Sequence, residues 1–245
     1  VDGSIATGAA VSVMLIRAGV SPIATLPIAF LAGALAGMVT GLLNTALGIP
    51  GILASILTQI SLYSINLNIM GKANQPVSVD NYPLVVSLRY VTDGSMSRLL
   101  FFLGMIVFLL ALIAVMYWYF GTEQGHAIRA TGCNSNMARA QGINTNFVKV
   151  LALMISNGLV GLCGALYGQF QGASDVNMGR GAIVIGLAAV IIGEVLFGKF
   201  ASKRKLAFAF TLASVILGAV IYYMVYQFVL WLKMPSEDMK LFSAI

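Results

Sequence analysis

The sequence predicts an all-α fold, a polytopic integral membrane helical bundle, and three observations carry that prediction. Of its 245 residues 59% are hydrophobic and only 9% charged, where soluble domains carry about 25% charged residues. Mean hydropathy is +0.93. Apolar runs close to the about 20 residues that cross a bilayer recur about seven times, bounded by charged or turn-forming stretches. These values exclude a water-soluble fold, and because the runs are apolar on every face they also exclude a membrane β-barrel.

Taken in order, the runs are Ile5–Val20, Ile23–Leu43, Gly51–Met70, Leu99–Phe120, Phe147–Phe170, Ala182–Phe197 and Leu206–Trp231. Together they make residues 1–245 one transmembrane domain. The chain opens on Val1 with no secretory leader pattern, and a further apolar stretch starts at Leu241–Ile245; truncation at both ends, with helices beyond them, is therefore expected.

Two linkers are long and polar. Gly71–Arg98 contains Asn74, Pro76, Asp80, Pro83 and Gly94, residues that form turns, with a short surface helix expected at Leu84–Tyr90. Gly121–Asn146 reads as structured: Asn134 or Ser135 caps a short helix at Met137–Gln141, and Gly142 closes it in the left-handed conformation glycine tolerates best. Such a helix either docks a partner at the membrane surface or simply reverses the chain.

Charge does not orient the bundle. An odd number of spans puts the termini on opposite sides, and the positive-inside comparison sets Arg129, Arg139, Lys149, Lys199, Lys203, Arg204 and Lys205 against an equal number, Arg17, Lys72, Arg89, Arg98, Arg180, Lys233 and Lys240. The net charge of +6 is spread over both faces, which argues against a nucleic-acid surface.

Chemistry-bearing motifs are few. Gly193 to Lys199 matches G-x-x-x-x-G-K, but Phe200 stands where a hydroxyl should bind magnesium and the match ends an apolar helix instead of following a strand, so nucleotide binding is not expected there. His126 has no neighbouring ligand residues for a metal, Cys133 and Cys163 read as free thiols, and no nucleophile or carboxylate pair marks an enzyme. The chain is expected to bind no metal and no cofactor of its own.

Small and polar residues inside the spans are more informative. Gly33, Gly37 and Gly41, and later Gly158, Gly161, Gly164 and Gly168, repeat at helical spacing and predict close helix packing. Gln59, Ser61, Asn66, Asn157, Gln169 and Gln171 are polar residues expected to line a path together. The Ala182–Phe197 span is short, is entered through Gly179-Arg-Gly181 and contains Gly186 and Gly193, and glycine-interrupted spans point to a translocation site. Glu194 reads either as a proton or cation site, the basis of an alternative ion-coupled secondary transporter, or as a partner for Arg129, Arg139 or Lys199. Tyr222, Tyr223, Tyr226 and Trp231 fit an interfacial aromatic belt.

The stretch Arg129–Asn144, RATGCNSNMARAQGIN, resembles the cytoplasmic loop of bacterial ABC importer permeases of the branched-chain amino acid and ribose type. Gly158–Gly161, Gln171–Gly179, Ile191–Glu194, Val1–Ser4 and Ser61–Gly71 resemble the tryptophan/tyrosine transport subgroup. The resemblance implies half of the pore of a type II ABC importer-like system in the bacterial inner (cytoplasmic) membrane. It implies import of a small solute, most naturally an aromatic or other apolar amino acid. A second permease subunit, identical or different, ABC ATPase subunits carrying ATP and magnesium, and an extracytoplasmic substrate-binding protein would be its partners. Residues 121–146 would then be the cytoplasmic coupling loop, with Arg129, Met137, Arg139, Gln141 and Gly142 against the ATPase. Gly179–Gly181 and the outer span ends would receive cargo.

Overall fold

Away from water, a chain must satisfy its amides internally, so apolar runs become helices. The computed structural model describes residues 1–77, 84–86, 95–201 and 207–231. Among them are nine helices: α1 Asp2–Arg17, α2 Pro22–Thr45, α3 Gly51–Met70, α4 Ser95–Phe120, α5 Glu123–Cys133, α6 Ser135–Ala140, α7 Thr145–Gln171, α8 Ala182–Ala201 and α9 Ala207–Trp231. Two strands of three residues, β1 Asn74–Pro76 and β2 Ala173–Asp175, pair antiparallel with Gln75 opposite Ser174. No periodic pattern announces so short a pairing.

Among the described residues, five helical stretches are long and apolar enough to cross a bilayer: Pro22–Thr45, Gly51–Met70, Leu99–Phe120, Thr145–Gln171 and Ala209–Phe228. Of the other two runs that the sequence offers as spans, Ile5–Val20 forms α1, 16 residues long, and Ala182–Phe197 forms most of the 20-residue apolar helix α8. The helix expected at Leu84–Tyr90 falls largely outside the described residues.

The chain forms two compact units. One comprises Val1–Phe108 with Phe120–Arg180, the other Leu109–Tyr119 with Gly181 onward. In the first, α7 packs along both α1 and α2, and the glycine repeats explain how. A Cβ on Gly33 or Gly37 would overlap the carbonyl oxygen of Asn157 or Leu153, and one on Gly41 would stand 2.9 Å from Val150 Cα. On α7, a Cβ at Gly164 would overlap the Ile5 carbonyl of α1, at Gly158 it would meet the Phe30 ring at 2.8 Å, and at Gly161 it would lie 2.7 Å from the Ala29 carbonyl oxygen. In lipid, backbone contact of this kind holds helices together.

Polar bonds fix the register of the same three helices. Asn157 Oδ1 accepts from Ser4 Oγ at 2.9 Å, joining α7 to α1. Toward the end of α7, Gln169 Nε2 donates to Ser12 Oγ at 3.1 Å, to Thr25 Oγ1 at 3.2 Å and to the Pro22 carbonyl at 3.3 Å. Its Oε1 accepts from the Val85 amide at 3.2 Å. Thr40 Oγ1 donates to Thr58 Oγ1 at 2.9 Å and ties α2 to α3.

In the second unit α8 packs on α9. A Cβ on Gly193 would overlap the Ser214 carbonyl, and one on Gly218 would stand 2.9 Å from Gly193 Cα. The glycine-interrupted span expected at Ala182–Phe197 is therefore a continuous helix, with Gly193 in a packing contact and open space around Gly186. The segment matching a phosphate-binding loop lies within that helix.

Candidate functional sites: a capped surface helix and a mid-helix cavity

Residues 121–146 fold into α5 and α6 because local side chains supply what their backbones lack. The Thr122 hydroxyl accepts from Gly125 N at the start of α5. Asn134 Oδ1 accepts from the amides of Asn136 and Met137, both at 3.1 Å, and starts α6. At its end Gly142 N donates to the Arg139 carbonyl and Ile143 N to that of Ala138, with Gly142 at φ +83°, the paired bonds of a Schellman stop. Helix α6 thus spans Ser135–Ala140, two residues earlier than the sequence suggested at its start, because Asn134 caps it. Truncating that cap, Asn134→Ala, is expected to cost about 1 kcal/mol. The check is faster amide hydrogen exchange over residues 135–143 with α7 unaffected.

The candidate coupling residues share this surface. Arg129, Met137, Arg139, Gln141 and Gly142 are all exposed, Met137 to 61%, while Ala138 is buried beneath them. Arg139 Nε donates to Thr145 Oγ1 at 3.0 Å, bonding α6 to the first residue of α7. Asn144 Oδ1 in turn accepts from Phe147 N and caps α7. An exposed apolar side chain among cations and amides, on a rigidly stopped helix bonded to a membrane helix, is suited to receive a groove of another protein.

A second candidate lies about halfway along α7. After β2 the chain turns back beside α1: Val176 packs with Ala10 and Met70, and a Cβ at Gly179 would overlap the Asp2 carbonyl oxygen. Ala10 to Asp2 spans a helical rise of about 12 Å, and the start of α1 is level with Asn157. Residues 176–180 therefore descend as non-helical backbone to the middle of α7, which a membrane protein tolerates where the backbone is buried in protein or lines a cavity. A cavity of about 510 Å³ opens there, walled by the start of α1, the middle of α3 and this descending segment.

Of the polar-path residues, Gln59, Asn66 and Gly179 line this cavity. The others do not. Ser61 is exposed on the opposite face of α3 and donates to the Leu57 carbonyl. Asn157 is buried in the α1–α7 seam, Gln171 is exposed and bonded to the Tyr167 hydroxyl, and Gly181 sits at φ +86° ahead of α8. Gly179 stands against the Asp2 backbone at the start of α1.

Asp2, Tyr63 and Arg180 also line the cavity and were not singled out from the sequence. The signal present was the spacing of Gln59, Tyr63 and Asn66 at i, i+4 and i+7, one face of α3. Glu194 is exposed on α8 with no ion-pair partner among the described residues. Among the described residues, no group of three or more His, Cys, Asp or Glu is placed to hold a metal, and both cysteines are free thiols.

Comparison with known proteins gives this geometry its family. Residues 1–245 match the model described as branched-chain amino acid transport system / permease component. The chain is 38% identical over 244 residues to a tyrosine transport system permease protein of Clostridioides difficile (strain R20291), covering all of this chain and 77% of that one. It is 28% identical to the autoinducer 2 import system permease protein LsrC of Yersinia pseudotuberculosis (serotype O:3, strain YPIII), covering 96% of this chain and 62% of that one. It is 25% identical to the inner membrane ABC transporter permease protein YjfF of Escherichia coli (strain K12), covering 73% and 53%. No solved structure matches. A helical bundle with several membrane-crossing helices and a match along its whole length belongs to the branched-chain amino acid transport system permease component family.

Proposed function

We propose that the chain forms half of the translocation pathway of an ATP-driven ABC importer in a bacterial cytoplasmic membrane, carrying an aromatic or other apolar amino acid. The relative described as a tyrosine transport system permease supports that cargo. Its partners in this reading are a second permease subunit, of the same or another chain, two ATPase subunits that hold ATP and magnesium, and an extracytoplasmic binding protein.

The observation that carries the reading is the Arg139–Thr145 bond. A push on α6 is delivered through it to the first turn of α7. Helix α7 is locked by backbone contact to α1 and α2, so a tilt of α7 moves the start of α1, which is a wall of the cavity. ATP-driven closure of the ATPase pair would in this way alternate access to the cavity from the two sides. Arg129, Met137 and Gln141 supply the docking face and Gly142 the stop that keeps α6 rigid.

The test is a double substitution, Arg139→Ala with Gly142→Val, in the reconstituted complex. The double variant removes both the α6–α7 bond and the stop that keeps α6 rigid, so stimulation of ATP hydrolysis by cargo-loaded binding protein should fall by at least about tenfold, a loss of about 1.4 kcal/mol in coupling. Unchanged stimulation would sink the coupling role. Uptake that persists after the proton gradient is dissipated and stops on ATP depletion separates this reading from an ion-coupled carrier built on Glu194.

A further inference from the structure

Asn66 is fully buried, yet neither its Nδ2 nor its Oδ1 has a hydrogen-bond partner among the described residues. It lines the mid-helix cavity. Buried carboxamides are normally partnered, as Gln169 is through four bonds and Asn157 through three. An orphaned amide on a cavity wall is a polar group held ready for something the protein itself does not supply.

The rest of the lining says what that is. A carboxamide offers donors and an acceptor side by side, which match a carboxylate and an ammonium on one carbon. The same cavity is lined by one carboxylate, Asp2, and one guanidinium, Arg180, complementary to the two charges of a zwitterion. Ile56, Ile60 and the Tyr63 ring complete the walls, an apolar surface for a side chain. The volume, about 510 Å³, falls within the range of about 300–1,000 Å³ typical of small-molecule sites.

We propose that this cavity is a transient binding site for a zwitterionic α-amino acid with an apolar or aromatic side chain, and that Asn66 anchors its head group by hydrogen bonds. The proposal rests on the amino-acid reading above and deepens it, placing part of the selectivity in the permease and not in the binding protein alone. Arg180 faces the carboxylate and Asp2 the ammonium. The site empties when the α1 wall moves with α7.

The test uses the purified permease–ATPase complex in nanodiscs without binding protein, titrated with L-tyrosine and with L-tyrosinamide, which lacks the carboxylate. A site built to bond a group rejects the analogue without it, so the wild type should bind tyrosine at least about tenfold more tightly than the amide. Asn66→Leu should weaken tyrosine binding by about tenfold, the loss expected of one well-placed bond to a charged group, while its unfolding midpoint without ligand stays at or above that of the wild type. Arg180→Gln, at an exposed position, should bring tyrosine and tyrosinamide to within about twofold of each other. Equal binding of the two probes by the wild type, unchanged tyrosine affinity in Asn66→Leu, or a lowered midpoint in that variant would each overturn the proposal. If the complete system with its binding protein takes up tyrosine while the permease–ATPase complex shows none of these differences, the site falls and the transport reading stands. Failure of the complete wild-type system to take up tyrosine overturns the cargo reading and this site with it.

Discussion

Gly161→Ala is expected to loosen three helices at once. Its backbone is the point where α1, α2 and α7 meet: a Cβ at Gly8 of α1 would overlap the Gly161 carbonyl, and a Cβ at Gly161 would lie 2.7 Å from the Ala29 carbonyl oxygen and 3.1 Å from Gly33 Cα on α2. Neither obstacle is the movable end of a side chain, so the helices themselves must separate. Overpacking a fitted core costs about 1–3 kcal/mol, and in lipid no hydrophobic exclusion from water compensates for lost contact between helices. We expect the upper end of that range, about 3 kcal/mol, and a larger loss for Gly33→Val, whose Cβ would overlap the Asn157 carbonyl. The measurement is the thermal midpoint of the detergent-solubilised protein followed by gel filtration. Gly104→Ala is the control, because nothing lies within 4 Å of a Cβ there; it should be neutral or stabilising by up to about 1 kcal/mol. Equal midpoints for Gly161→Ala and Gly104→Ala would remove the seam from the account.

That seam was legible in the sequence for a physical reason. Close backbone approach needs residues without side chains on one helical face, so Gly33, Gly37 and Gly41 record the contact wherever the partner lies. Helix α6 was legible too, since Asn134 and Gly142 act on backbone groups only two to five residues away, whereas α5, begun by Thr122, was not anticipated. The cavity was not. Its walls come from residues near positions 2, 60 and 180, and no local pattern tells which segments a descending chain will meet. Asn66 and Asn157 show the limit: the same residue type inside two apolar spans, one partnered in a helix seam and the other buried without a partner in the wall of a cavity. Side-chain identity gave both the same reading, and both are buried, whereas partnership, which separates them, is a property of the assembled helices.

The same contrast yields the second large effect, a difference in sign between two buried carboxamides. Gln169→Leu removes donors to Ser12, Thr25 and the Pro22 carbonyl and the acceptor of the Val85 amide. Side-chain bonds between membrane helices average about 0.6 kcal/mol each, and an amide left buried without a partner adds about 1–3 kcal/mol. Gln169→Leu should therefore destabilise by about 2 kcal/mol or more and free α1 and α2 from the end of α7. Asn66→Leu has no such bonds to lose among the described residues. It relieves an unsatisfied group and should hold or raise the midpoint while weakening solute binding. Measuring both midpoints side by side in one detergent isolates the difference, since both variants replace a carboxamide with the same apolar side chain. A fall of equal size in both would mean that Asn66 is a structural amide like Gln169, and the polar wall of the cavity would lose its reason. A fall confined to Gln169→Leu ties stability to the satisfied network at the end of α7 and leaves the orphaned amide beside Tyr63 and Arg180 for the solute.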